Sequence, residues 1–93
     1  MKTIIITRHK ALIEYIFEIG LCPADTPVIP HAVEQDIIGN RCIGPLPLNL
    51  AALAAEVINI PIKMPQELRG VELSLEQLRM YAKKPETYVV TLK

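Results

Sequence analysis

The chain has 93 residues, 51% of them hydrophobic and 22% charged. That suffices for one small core and is too apolar for a disordered chain, and it leaves no room for a catalytic domain plus a binding domain. Ten basic side chains balance ten acidic ones, so no general positive field exists to hold long duplex nucleic acid by counterion release. A compact anion held by a few local donors remains within reach.

Met1-Lys2-Thr3 runs into only Ile4-Ile5-Ile6 before Arg8-His9-Lys10 interrupts, so no secretory leader is expected. Every apolar stretch falls far short of the roughly 20 residues of a membrane span. The expectation is a soluble, cytoplasmic protein. Cys22 and Cys42 lie too far from each other, and from any His, for metal-ligand spacing. They read as reduced, mostly buried thiols.

No repeat or linker interrupts the chain, which reads as one domain over residues 1–93. Thr3 to Thr7 is β-branched throughout, too short for a helix, and predicts a central strand covered on both faces. Ala11, Leu12, Tyr15, Ile16 and Ile19 recur at helical spacing from Lys10 onward, with Gly20 as the stop signal. Pro27-Val28-Ile29-Pro30 predicts an extended piece confined by its prolines to an edge or a loop. Arg41-Cys42-Ile43 predicts a second strand closed by Gly44-Pro45. A helix from Leu48 to about Glu56 follows, with Pro47 near its first turn. Val57 to Ile62 predicts a third strand, punctuated by Pro61 and Pro65. Ser74-Leu75-Glu76-Gln77 is a capping box that opens a further helix. Tyr88 to Leu92 predicts the last strand. Strands alternating with helices give a small α/β, Rossmann-like domain with a mainly parallel sheet flanked by helices. An exposed sheet edge or helix face in so small a domain favours a homodimer.

Ligands of such sheets gather at the carboxyl ends of the strands. Thr7-Arg8-His9 lands there, and offers a hydroxyl, a guanidinium, an imidazole and free helix-start N–H groups to a phosphate. The bland alternative is that Thr7 caps the helix and Arg8 and His9 are merely solvated. Gly44-Pro45-Leu46-Pro47-Leu48-Asn49 lands at the same edge; Gly44 permits close backbone approach and Asn49 could present its amide. Arg69-Gly70 could clamp a phosphate from a loop, or Arg69 could pair with Glu67 or Glu72. His31 is an unpaired acid or base in a loop. The remaining acids, such as Glu14, Asp36 and Glu76, show no metal-ligand pattern, so neither metal nor cofactor is expected. The G-x-G-x-x-G fingerprint and the P-loop are both absent.

Three segments occur in order: Thr7-Arg8-His9 after the first strand, Ile43-Gly44-x-Leu46-Pro47-x-Asn49-Leu50-Ala51-Ala52, and Pro65-x-Glu67-Leu68-Arg69-Gly70-x-Glu72-Leu73-Ser74. Together they resemble a family of small, stand-alone CRISPR-associated proteins found beside type III systems. The match runs from the first strand to the third predicted helix, with looser agreement from Gly20 to Asn40 and in the last strand. The resemblance implies a CARF-like, Rossmann-type homodimer that binds cyclic oligoadenylate. It further implies a ring nuclease that opens cyclic tetra-adenylate and switches the antiviral response off. The chain departs from typical members in its short tail after Tyr81, so no role for a longer C-terminal extension carries over.

On that resemblance Arg8, His9 and Asn49 are the candidate catalytic residues. Thr7, Gly44, Leu46, Pro47, Arg69 and Gly70 are the candidate ligand contacts. The ribose 2′-hydroxyl would attack its own adjacent phosphorus, leaving a linear product with a 2′,3′-cyclic phosphate and needing no metal. Two further readings stand beside it: a non-catalytic module that sequesters or senses the messenger, and an interaction subunit whose arginines sit in surface ion pairs. A histidine-phosphatase reading of Arg8-His9 fails, because Lys10 stands where that motif has glycine and the chain is too short for its second catalytic half.

Overall fold

The structure is a computed structural model that describes residues 1–93. Its strands are β1 (Thr3–Ile5), β2 (Arg41–Ile43), β3 (Glu56–Asn59) and β4 (Glu86–Tyr88). Its helices are α1 (Lys10–Glu18), α2 (Glu34–Ile37), α3 (Leu48–Ala51) and α4 (Leu75–Tyr81), with a 3-10 turn at Gln66–Leu68. The strands form one sheet in the order β1-β2-β3-β4, parallel across the first three and antiparallel between β3 and β4. This is the mainly parallel α/β architecture that the alternating pattern predicts.

Period-two alternation sorts the core onto two faces. Ile4, Cys42 and Val57 stand in register across β1, β2 and β3 and pack with Ile37 of α2 and Ala51 of α3. Ile5, Ile43 and Ile58 form the next row and pack on the opposite face with Leu12 and Ile16 of α1 and Leu78 of α4. Both faces of the parallel strands are therefore covered, which explains why their sequences are continuous apolar runs. Truncating a fully buried member of these rows, such as Ile5 or Ile43, to alanine costs about 2–5 kcal/mol.

Several element boundaries differ from expectation. The chain leaves the helical path after Ala51, well before Glu56, because Arg41 and Glu56 pair in the sheet and as an ion pair. Sheet pairing thus overrides the helix propensity of the alanine-rich stretch. β3 ends at Asn59 instead of Ile62, since Pro61 has no N–H for the ladder; Ile62 regains a bridge to Ala82. The last strand is Glu86–Tyr88, displaced from Tyr88–Leu92, because Tyr88 already lies opposite Val57 and β3 begins only one residue earlier. The single turn α2 has no strong sequence signal; Asp36 fixes it by accepting the Val33 N–H at 2.9 Å. The Pro27–Pro30 piece does lie at the sheet edge, where Val28 bridges Ile5. The capping box forms as expected: Ser74 Oγ accepts the Gln77 N–H at 3.2 Å and Gln77 Oε1 accepts the Ser74 N–H at 3.0 Å.

Both cysteines are free; Cys42 is fully buried, which pushes its thiol up, whereas Cys22 is only half-buried. No helix is long and apolar enough to cross a membrane.

At the carboxyl edge one backbone contact admits only glycine. Gly44 has φ +130°, and a Cβ there would stand 2.2 Å from the carbonyl oxygen of Ile6. The approach that demands glycine is thus made by the protein's own first strand. On the helical side, Arg79 of α4 clasps Glu18 of α1 with two hydrogen bonds, one of 2.8 Å from Nε. The Arg79 hydrogen bond, aided by its charge, holds the Glu18 carboxyl below the usual carboxylate range.

We expect Gly44→Ala to destabilise the fold by about 2–4 kcal/mol in urea denaturation, since backbone must move to admit the methyl group; an unchanged midpoint would contradict this contact. The clasp gives a second expectation with a definite sign. A carboxyl whose pKa is lowered on folding adds stability above its unfolded-state value, and loses it as pH falls through the folded value. Arg79→Gln should therefore melt a few degrees below the wild type at pH 7, with the gap closing as the solution is acidified.

Candidate functional site

The three parallel strands deliver their carboxyl ends side by side. β1 runs on through Ile6, whose N–H donates to the Ile43 carbonyl at 2.8 Å, and hands over Thr7-Arg8-His9. β2 hands over Gly44-Pro45, and β3 hands over Asn59-Ile60. Thr7 is buried, and its hydroxyl oxygen accepts the His9 N–H at 3.2 Å. That bond corrects the expectation that Thr7 caps the helix: His9 is the N-cap residue, in extended backbone, and no side chain caps α1. The first-turn N–H groups of α1 therefore keep the donors that every helix start leaves free. Arg8 and His9 are exposed.

His9 borders three adjoining cavities. The first, about 250 Å³, is enclosed by Ile6, Thr7, Arg8, His9, Pro30 and Pro45. The second, also about 250 Å³, lies above β2 and β3 and is walled by Gly44, Pro45, Asn59 and Ile60 as well as His9. The third, about 170 Å³, runs between α1, α4 and the segment from Ile62 to Leu73, with Glu72 at its rim. His9 Nδ1 stands 3.6 Å from Glu72 Oε1, with both side chains more than half exposed. That distance is within ion-pair reach and beyond a direct hydrogen bond.

The cations divide into two groups. Of the four arginines, Arg41 and Arg79 are tied to Glu56 and Glu18, which stitch β2 to β3 and α1 to α4. Arg8 and Arg69 take part in no ion pair or side-chain hydrogen bond, and both line cavities at the carboxyl edge or just beyond it. Arg69 shares its cavity with Lys63, Ile62 and Met64. The surface pairing of Arg69 with Glu67 or Glu72 does not form; Glu72 faces His9 instead.

The remaining predicted positions scatter along the same side. Leu46 is half-buried against the α2–α3 face of the core and lines a separate groove with Tyr88 and Val90. Pro47 is the N-cap of α3, its carbonyl accepting the Leu50 and Ala51 N–H groups. Asn49 is exposed on the first turn of that four-residue helix and lines none of the five main cavities. Gly70, at φ +82°, reverses the chain so that Arg69 and Val71 face different cavities. His31 is exposed and borders none of them. No group of three or more His, Cys, Asp or Glu side chains stands close enough to hold a metal ion.

Three further residues that border these cavities are not candidates on sequence alone. Asn59 is a half-buried amide at the end of β3, open to two cavities; the signal was a lone amide in the apolar run Val57-Ile58-Asn59-Ile60. Glu72 carries no sequence signal for a place beside His9, and Lys63, between Pro61 and Pro65, carries none for a cavity.

A model of the family described as putative CRISPR-associated protein (Cas_VVA1548) matches residues 4–91, from β1 to the tail beyond β4. No curated protein and no solved structure matches the chain.

Proposed function

We propose that this chain, which belongs to that CRISPR-associated family, is a ring nuclease acting on cyclic oligoadenylate, with cyclic tetra-adenylate as its substrate. The observation that carries the proposal is the meeting of an unpaired Arg8, a buried Thr7 and His9 in one cavity at the carboxyl edge of a parallel sheet. That edge is where open α/β sheets hold phosphorylated ligands. The order of the three sequence segments and the family's link to CRISPR systems supply the substrate class.

The chemistry asks little of the protein beyond placement. One ribose 2′-oxygen attacks the adjacent phosphorus, the bond from phosphorus to the 5′-oxygen breaks, and a 2′,3′-cyclic phosphate remains. The 2′-hydroxyl proton leaves to a base and a proton is returned to the departing 5′-oxygen. Holding the 2′-oxygen in line supplies much of the rate. Arg8 and the first-turn N–H groups of α1 stabilise charge on the phosphorane oxygens. Glu72 beside Nδ1 of His9 favours the tautomer that leaves the Nε2 lone pair free to take the 2′-proton. Glu72 is thus a positioning residue. Arg69, set apart from this cavity, contributes hydrogen bonds to a neighbouring phosphate of the ring; Asn49, which lines none of the five main cavities, has no part in this scheme. Two copies related by a two-fold axis would present paired sites to a ring with matching symmetry, which reconciles a neutral protomer with a tetra-anionic ligand. In this role the protein lowers the messenger of a type III system and ends its signal.

Incubation with cyclic tri-, tetra- and hexa-adenylate in EDTA, followed by mass spectrometry, tests the proposal. We expect linear products ending in a 2′,3′-cyclic phosphate from the tetra-adenylate ring. Arg8→Ala and His9→Ala should each slow single-turnover cleavage about tenfold or more while melting like the wild type. Tight binding with every ring intact would replace the nuclease by a sequestering module, and no binding at all would overturn the ligand class.

A further inference from the structure

We infer that Lys63 and Arg69 form a second anion subsite, separated from the Arg8–His9 cavity by an apolar slot that takes one nucleobase. The two ends and the slot together accept a nucleoside carrying phosphate on both its 3′ and 5′ oxygens. This rests on the function proposed above and deepens it, since a ring of linked nucleotides repeats that unit.

The slot is the cavity of about 170 Å³ on the far side of His9, with apolar walls that include Leu12, Met64, Val71 and Leu73. Pockets for whole drug-sized ligands run to about 300–1,000 Å³, so this one suits a single flat base rather than a complete nucleotide. Its two polar members, His9 and Glu72, sit together 3.6 Å apart. A carboxylate there accepts from an exocyclic amino group, which adenine carries on its edge. His9 borders both the slot and the cavity of Arg8 and Thr7. Ile62 and Met64 border both the slot and the cavity of Lys63 and Arg69.

Electrostatics marks that far end as an anion site. Lys63 and Arg69 line one cavity, no carboxylate lines it with them, and neither joins any of the three ion pairs of the molecule. Ten acidic side chains are available, so two like charges facing one space without a counter-charge is an arrangement that a bound phosphate relieves. The backbone beneath them is fixed: the Lys63 N–H donates to the Tyr81 carbonyl at 3.0 Å and the Arg69 N–H to the Gln66 carbonyl at 3.1 Å. Both side chains are exposed and unpaired, so replacing them leaves the core and the ion-pair ties untouched.

Calorimetric titration with adenosine 3′,5′-bisphosphate and with adenosine 5′-monophosphate tests the subsite, alongside steady-state cleavage of cyclic tetra-adenylate. The wild type should bind the bisphosphate about tenfold more tightly than the monophosphate, since the second phosphate gains charge-assisted hydrogen bonds. Lys63→Gln combined with Arg69→Gln should erase that advantage and raise the ring's KM about tenfold, with the loss concentrated in KM. Val71→Asp, a change at an exposed slot wall, should weaken both mononucleotides. Equal binding of the two mononucleotides by the wild type, together with a wild-type KM in the double variant, would overturn the subsite while the nuclease reading stands. A wild type that ignores the ring yet loses its bisphosphate preference in the double variant would keep the subsite and overturn the nuclease.

Discussion

The carboxyl edge is built around one backbone contact between the end of β1 and the turn that leaves β2. Gly44 lies against the Ile6 carbonyl, leaving no space for a Cβ. Thr7-Arg8-His9 and Gly44-Pro45 leave the sheet there as neighbours, and the Arg8 cavity is the space enclosed between them and Pro30. A side chain at position 44 would be driven into that carbonyl, and backbone on one side of the contact would have to move. Such a glycine, kept by the approach of the protein's own backbone, couples the stability of the sheet to the shape of the site.

A neutral chain can still recognise a polyanion if its charges are sorted by place. Two arginines are spent on the scaffold, one joining adjacent strands and one joining the helices of a single face. The other two join no ion pair and line cavities, Arg8 one beside His9 and Arg69 one shared with Lys63. A mostly apolar cavity borders both His9 and the Ile62–Met64 segment that carries Lys63. His9 borders three of the cavities, with the Glu72 carboxylate 3.6 Å from its Nδ1. A local field of this kind discriminates by geometry and spacing, where a uniformly basic surface would attract any nucleic acid.

The parallel strands, the first helix and the Ser74 capping box were legible because each is dictated locally, by β-branched runs, helical spacing or reciprocal side-chain bonds. The errors fell where a distant partner decides. α3 is cut short because Glu56 belongs to Arg41, and β4 is shifted because Tyr88 answers to Val57. That Thr7 to His9 emerge together at the carboxyl edge is legible, because a strand end followed by a helix start is a sequence-local event. Asn59, Glu72 and Lys63 could not, since their relation to His9 and Arg69 exists only once the segment after β3 folds back over α1 and α4. Asn49 shows the converse: its motif is clear, but the helix that carries it has four residues and directs it away from the cavities.

The central claim is that the carboxyl edge recognises cyclic oligoadenylate. Titrating ¹⁵N-labelled protein with cyclic tetra-adenylate bearing 2′-fluoro riboses, which lack the nucleophile, tests it most directly. The account predicts amide shifts concentrated at Thr7 to Lys10, Gly44, Asn59 to Lys63 and Arg69 to Glu72. Shifts confined to α3 and β4, or a spectrum unchanged by the ring, would contradict it.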